Sequence, residues 1–198
     1  MKILAASDLH GDISAARKLA ETAQKEKVNL VILCGDIDTE NYGEKILEEF
    51  VKKDKKVLLI PGNWDTFATT DFLADFFGVK NIHGYSVRYE DIGFFGCGGA
   101  NVGPLTTLSE KEIFDTLKKG FEKISYLKKK IMITHMHPYN SKAEFSGFKG
   151  SKAIKKAIDE FKPDLMLCGH IHEAEGIEDK IGNTIVFNVG KKGKVISL

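Results

Sequence analysis

The 198-residue sequence has 3 cysteines and no pairing pattern among them: Cys34 and Cys168 stand inside apolar runs and Cys97 in a glycine cluster. That excludes a disulfide-stapled secreted framework and indicates a reduced, cytoplasmic protein. Neither charge is in excess, since 29 lysines and arginines face 28 aspartates and glutamates for a net +1. A partner held by bulk electrostatics, whether nucleic acid or an anionic membrane, needs a basic surplus that this chain lacks. No apolar run approaches the roughly 18 residues of a membrane-spanning helix. The opening Met1-Lys2-Ile3-Leu4-Ala5-Ala6 soon meets Asp8 and His10, so no signal-peptide core forms there. Internal repeats, low-complexity tracts and linkers are missing too. Length and a 42% hydrophobic content suit one domain, residues 1–198, with a sizeable core.

What is present is an alternation of short apolar runs and longer amphipathic stretches. Ile3 to Ala6, Leu30 to Leu33, Val57 to Ile60, Ile131 to Ile133 and Leu165 to Leu167 are brief and bounded by charge or glycine, as buried strands are. Between them, Ile13 to Lys25 places Ala16, Leu19, Ala20 and Ala23 on one helical face, with Asp12 as N-cap. Ile46, Leu47, Phe50 and Val51 mark a second helix. Ser109 and Glu112 have capping-box spacing ahead of a stripe from Ile113 to Leu127, and Ile154, Ala157, Ile158 and Phe161 mark a further helix. Phe67, Phe72, Phe76 and Phe77 read as core packing around another.

Two segments break this rhythm. Tyr85 to Gly96 reads as two strands around Glu90-Asp91, and Gly176 to Leu198 as a three-stranded meander turning at Ile181-Gly182-Asn183-Thr184. Such strands pair antiparallel and add a second sheet. The expected architecture is α/β, a two-sheet α/β/β/α sandwich.

Five of the six histidines fall in three short clusters, and each cluster follows a strand. After the five runs come Ser7-Asp8-Leu9-His10, Cys34-Gly35-Asp36, Pro61-Gly62-Asn63-Trp64-Asp65, Thr134-His135-Met136-His137-Pro138 and Cys168-Gly169-His170-Ile171-His172. Carboxyl ends of parallel strands are where α/β sheets assemble their sites. Carboxylates, imidazoles and an amide oxygen suit borderline divalent ions such as manganese, zinc, iron, cobalt or nickel.

With these motifs, Asp-x-His, Gly-Asp, Gly-Asn, a histidine near proline and Gly-His-x-His, the sequence resembles the calcineurin-like metallophosphoesterase superfamily. It is most similar to the small prokaryotic phosphoesterases whose Gly-Asn motif is not followed by histidine. The resemblance implies the superfamily's α/β/β/α fold and two divalent ions, manganese first among them. It implies that Asp8, His10 and His172 bind one ion, that Asn63, His135 and His170 bind the other, and that Asp36 bridges them. The implied activity is hydrolysis of small phosphoesters, diesters in preference, by hydroxide shared between the ions. A scaffold protein on the same fold is the rival from another class, and a nuclease or a phosphatase is the rival within the superfamily.

Trp64 stands where the fuller motif has a histidine that protonates the leaving group, and an indole has no proton to transfer near neutral pH. Trp64 either packs beside the site, lines the substrate pocket or marks an inactive centre. His137 is a candidate replacement acid, set against a purely structural role. Asn101, on the glycine-rich loop from Gly98, is a candidate substrate contact. The isolated His83 reads as a surface or turn residue.

Overall fold

The computed structural model describes residues 1–38 and 42–198. Five strands form the first sheet in the order β11-β1-β2-β3-β4, where β1 is Lys2–Ala6, β2 Leu30–Leu33, β3 Lys56–Leu59, β4 Lys80–Asn81 and β11 Lys194–Ser197. The second runs β5-β6-β7-β8-β10-β9, from β5 (Ser86–Tyr89), β6 (Ile92–Cys97), β7 (Lys129–Thr134), β8 (Leu165–Cys168), β9 (Glu178–Ile181) and β10 (Thr184–Asn188).

Period-two alternation explains how the sheets stack. In β2, Leu30 and Ile32 join Ile3, Leu58, Phe94, Ile131 and Leu167 in a core between the sheets. Val31 and Leu33 point the other way, under α1 (Ile13–Lys25) and α2 (Gly43–Val51), into a second core with Leu19, Ile46 and Phe50. A third core lies between the second sheet and α4 (Glu110–Glu122) and α5 (Lys152–Phe161), with Phe95, Met132, Leu117 and Ile158. Strands buried on both faces read as continuous apolar runs, which is why their spans are plain in the sequence.

Caps set where the helices begin. The Asp12 carboxylate accepts the Ala15 N–H at 2.9 Å, and Ser109 and Glu112 form a reciprocal capping box on α4. Each such cap is worth about 1 kcal/mol. Among the described residues, no helix is long and apolar enough to cross a membrane.

Four expectations are corrected. The last three strands are not a meander: β9 and β10 form the hairpin, but β11 crosses to the other sheet and pairs antiparallel with β1, Leu4 opposite Val195. There it covers the edge of β1, and its Val195 and Ile196 pack on different cores. Nor is the second sheet built mainly of antiparallel strands, because β6, β7, β8 and β10 run parallel and only the outer strands β5 and β9 are antiparallel. Helix α4 stops at Glu122, and Ile124 and Leu127 continue the buried stripe from the turn beyond it. In α3 (Phe67–Phe77), Leu73 and Ala74 face inward, so Phe72 and Phe76, four residues apart on the opposite face, are 55% and 66% exposed.

Candidate metal centre

The nominated ligands meet above the carboxyl ends of β1, β2, β3, β7 and β8. Getting them there requires unusual backbone. Asp8, His10, Asp36 and His170 all take left-handed conformations, with φ of 57°, 45°, 51° and 70°. For residues with a Cβ this costs on the order of 1–3 kcal/mol each and persists only where surroundings impose it. Here hydrogen bonds between loops impose it: the Asp8 N–H donates to the Gly35 carbonyl at 3.0 Å and the His10 N–H to the Asp36 carbonyl at 2.9 Å. Glycine is required where these loops touch, since a Cβ on Gly169 would strike Ser7 and Asp8, and one on Gly62 would strike Asp36.

Asp36 lies at the middle. Its Oδ2 is 3.3 Å from His135 Nε2 and 3.6 Å from His10 Nε2, and its Oδ1 accepts the Trp64 backbone N–H at 2.8 Å. On one side, Asn63 Oδ1 is 2.8 Å from His135 Nε2 and 2.9 Å from His170 Nδ1. On the other, His172 Nε2 is 3.6 Å from Asp8 Oδ1 and 3.3 Å from His10 Nε2. Two donor groups follow, Asp8 with His10 and His172, and Asp8 with Asp36 and His135, each with its atoms within 4.8 Å of one another. Atoms about 3 Å apart match neighbouring ligands around an ion with bonds of about 2.1 Å.

The donor chemistry fits a cation. His135 Nδ1 is 2.8 Å from the Cys34 carbonyl, which can only accept, so Nδ1 carries a hydrogen and Nε2 turns toward the centre. Asn63 Oδ1 has no hydrogen to give, and His170 Nδ1 stands 3.3 Å from His135 Nε2. Lone pairs converging this way need a proton or a metal between them. Without metal, burial opposes charge on His135, but the adjacent Asp36 outweighs it and lifts the imidazole to about 9. Burial and the charge on His135 push His170 down to about 4. Burial also works against charge on Asp8 and Asp36, yet the surrounding histidines and hydrogen bonds leave both below the usual carboxylate range. The three cysteines are buried and unpaired, and burial lifts the Cys97 thiol to about 12.

Trp64 is 50% exposed at the rim, its ring edge-on to His10 with centroids 6.4 Å apart. His137 is buried; its Nε2 donates to the Phe148 carbonyl at 3.3 Å and its ring stacks near His170, centroids 6.5 Å apart. Burial pushes its imidazole down. The Asn101 amide donates to Glu110 at 2.9 Å. Its loop braces Asn63 instead, as the Leu105 and Thr106 N–H groups donate to the Asn63 carbonyl at 3.1 and 3.2 Å. His83 is not a surface residue: it is half-buried, packs at a tilt against Phe67 and accepts the Gly98 N–H at 3.0 Å.

Two positioning residues carry no ligand signal in the sequence. Buried Asp65 accepts the N–H groups of Gly62, Ile37 and Asp38 at 2.7, 3.1 and 2.9 Å, tying the second and third ligand loops together. Asn188 donates to the Gly169 and Ile171 carbonyls, each at 3.1 Å, on either side of His170. Asp65 sits inside a motif, but Asn188 lies 18 positions beyond His170 and only pairing of β10 with β8 brings it back.

Residues 1–196 match the model of the calcineurin-like phosphoesterase superfamily domain. An uncharacterised protein of Methanocaldococcus jannaschii is 34% identical over 201 residues, covering 97% of this chain and 89% of that protein. A Thermus thermophilus structure aligns with a TM-score of 0.78 over 98% of this chain and 97% of its own, at 17% identity. A Danio rerio dimetal phosphatase aligns at 0.68 over 96% and 88%, with 10% identity. An archaeal phosphodiesterase aligns at 0.57 over 96% and 84%, with 21% identity. At these identities the structural likeness concerns the fold.

Proposed function

The chain belongs to the calcineurin-like phosphoesterase superfamily, a metal-dependent family, and on that premise we propose that it hydrolyses small phosphate esters, diesters in preference, with two divalent ions. The observation that carries this reading is Asp36 standing between two histidine groups, within 3.6 Å of each. Asp8, His10 and His172 would hold one ion with Asp36, and Asn63, His135 and His170 the other with Asp36. Nitrogen and oxygen donors without thiolate suit manganese, with nickel, iron, zinc or cobalt as substitutes. Bound there, such ions draw charge from phosphoryl oxygens and acidify water.

The chain's own groups supply orientation rather than a nucleophile. Ser7 is buried with its hydroxyl turned to the Cys34 and Gly35 carbonyls at 3.1 and 3.3 Å, so water is the attacking species in this reading. Trp64 has no proton to transfer, and the His137 proton is spent on Phe148. Leaving groups that depart without protonation are therefore favoured.

The test is metal analysis of the purified protein, then turnover of bis(p-nitrophenyl) phosphate, p-nitrophenyl phosphate and cyclic nucleotides with manganese or nickel. The expected result is bound metal and fastest release from the diaryl ester. A folded protein with no metal uptake and no turnover on any of them would leave the scaffold reading standing.

A further inference from the structure

A groove of about 690 Å³ opens beside the metal centre, between the exposed face of α1 and the turn carrying Lys191 and Lys192, and His172 lines it. Ser14, Lys18 and Thr22 stand one turn apart along its α1 wall. Eight residues of helix make that wall about 12 Å long, far more than a phosphate needs. A second recess, of about 220 Å³, is lined by Asp8, His172, Glu175, Gly190 and Lys191. It shares His172, Glu175 and Lys191 with the groove, so the path from ligand to groove is continuous.

The charged groups of the groove pair with one another. Lys191 pairs with Asp12 at 3.5 Å and Lys192 with Glu175 at 2.9 Å. Glu175 also accepts the backbone N–H groups of Lys191 and Lys192 at 2.8 and 3.1 Å. Three ammonium groups, Lys18, Lys191 and Lys192, are matched by three carboxylates, Asp12, Glu173 and Glu175. A balanced set gives no net attraction to a polyanion, but it offers donors and acceptors side by side, with Ala15 and Leu19 as apolar floor. Hydroxyl groups, which donate and accept at one atom, match such a lining.

We propose that this groove binds the retained alcohol arm of a phosphodiester, and that the arm is a neutral, hydroxyl-rich group such as a polyol, sugar or nucleoside. The proposal rests on the phosphoesterase reading for its placement of phosphorus beside His172. In hydrolysis, the water oxygen bonds to phosphorus and gives up its protons to the solvent, the other ester oxygen leaves with the electrons of its bond, and the groove keeps the arm as a monoester.

The test compares thymidine 5′-(p-nitrophenyl phosphate) with methyl p-nitrophenyl phosphate, which release the same p-nitrophenolate. In the native protein the thymidine ester is expected to have a kcat/KM about tenfold higher, mostly through KM, the equivalent of one or two hydrogen bonds. Lys18→Trp fills the exposed groove wall and should bring that ratio near one, with circular dichroism confirming the fold. A native ratio near one, or a ratio unmoved by Lys18→Trp, overturns the proposal. A second readout needs no turnover: saturation-transfer NMR from the protein as purified to thymidine 5′-methyl phosphate, expected for the native chain and lost in Lys18→Trp. Transfer that survives the substitution also overturns it. Should neither ester be hydrolysed while transfer behaves as expected, the phosphoesterase reading fails and the groove stands.

Discussion

His135 and His172 are nominated for neighbouring metal positions, yet the first has no exposed side-chain surface and the second is 60% exposed. Around His135 the donors are interlocked. Asn63 Oδ1 lies 2.8 and 2.9 Å from the two imidazoles, the Cys34 carbonyl orients His135, and loop amides from Leu105 and Thr106 donate to the Asn63 carbonyl. Around His172 the donors lie close to one another, His10 at 3.3 Å and Asp8 at 3.6 Å as the buried anchor, while His172 itself is open to solvent. The inner half is thus core that happens to end in lone pairs, and the outer half is a rim that opens into the groove. Preorganised donors lose little freedom when they bind, so an inner ion should be held tightly and exchange slowly. On the proposed two-ion reading, exchange and substrate entry would belong to the outer half.

Asp36 touches both halves, and removing it should erase the difference between them. Asp36→Ala is expected to lower turnover of bis(p-nitrophenyl) phosphate by about 10³-fold or more, and metal analysis should find neither ion retained. Full activity in that variant would sink the two-ion reading. A finer break separates the halves: in metal titrations, His172→Ala should keep one tight ion per chain, while His135→Ala should weaken that tight ion on the order of 100-fold. Equal losses in the two variants would show that burial does not rank the sites.

Stability should follow the same division. Asp65→Ala leaves the buried Ile37 and Gly62 N–H groups and the half-buried Asp38 N–H of the inner loops without their acceptor, a loss of about 3 kcal/mol or roughly 10 °C in Tm. Asp12→Ala, on the groove side, removes a helix cap and a half-exposed ion pair with Lys191, and should cost about 1 kcal/mol, roughly 3 °C. Thermal melts of the two variants in the absence of added metal make the comparison, and a larger shift for Asp12→Ala would reverse it.

Much of this was legible in the residues because burial on both faces writes itself as an unbroken apolar run: Leu30 to Leu33 is β2 residue for residue, and Asp12 caps α1 as read. The ligands were legible because loops at strand ends keep their chemistry in short, adjacent blocks. What could not be read depends on contacts distant in sequence. The left-handed backbone at Asp8 and His170 is imposed by other loops, and Asn188 reaches Gly169 only through strand pairing. β11 has the composition of either sheet's edge, and only its pairing with β1 shows which sheet it joins. The phenylalanines of α3 mislead for a related reason: their type suggests a core, but Leu73 and Ala74 already take the inward face.

The finest test lies where the inner half meets solvent. His83 Nδ1 accepts the Gly98 N–H at 3.0 Å and the next amide, Gly99, donates to the Pro61 carbonyl at 2.8 Å, so the loop that grips Asn63 is anchored here. Burial pushes His83 down from 6.5 to about 4. Between those values the unfolded chain takes up a proton that the folded chain refuses, so stability falls as pH drops through that window, and the loss is complete below about 4. His83→Phe keeps a ring against Phe67 and removes the titration. Its Tm should start lower at neutral pH, because the Gly98 N–H has lost its acceptor, and then fall less steeply with acid than that of the native chain. The other histidines titrate in both proteins, so the difference in slope isolates this one anchor. Parallel slopes would mean that the brace on Asn63 does not depend on His83, and that the rigidity of the inner half comes from Asp65 and the Leu105–Thr106 amides alone.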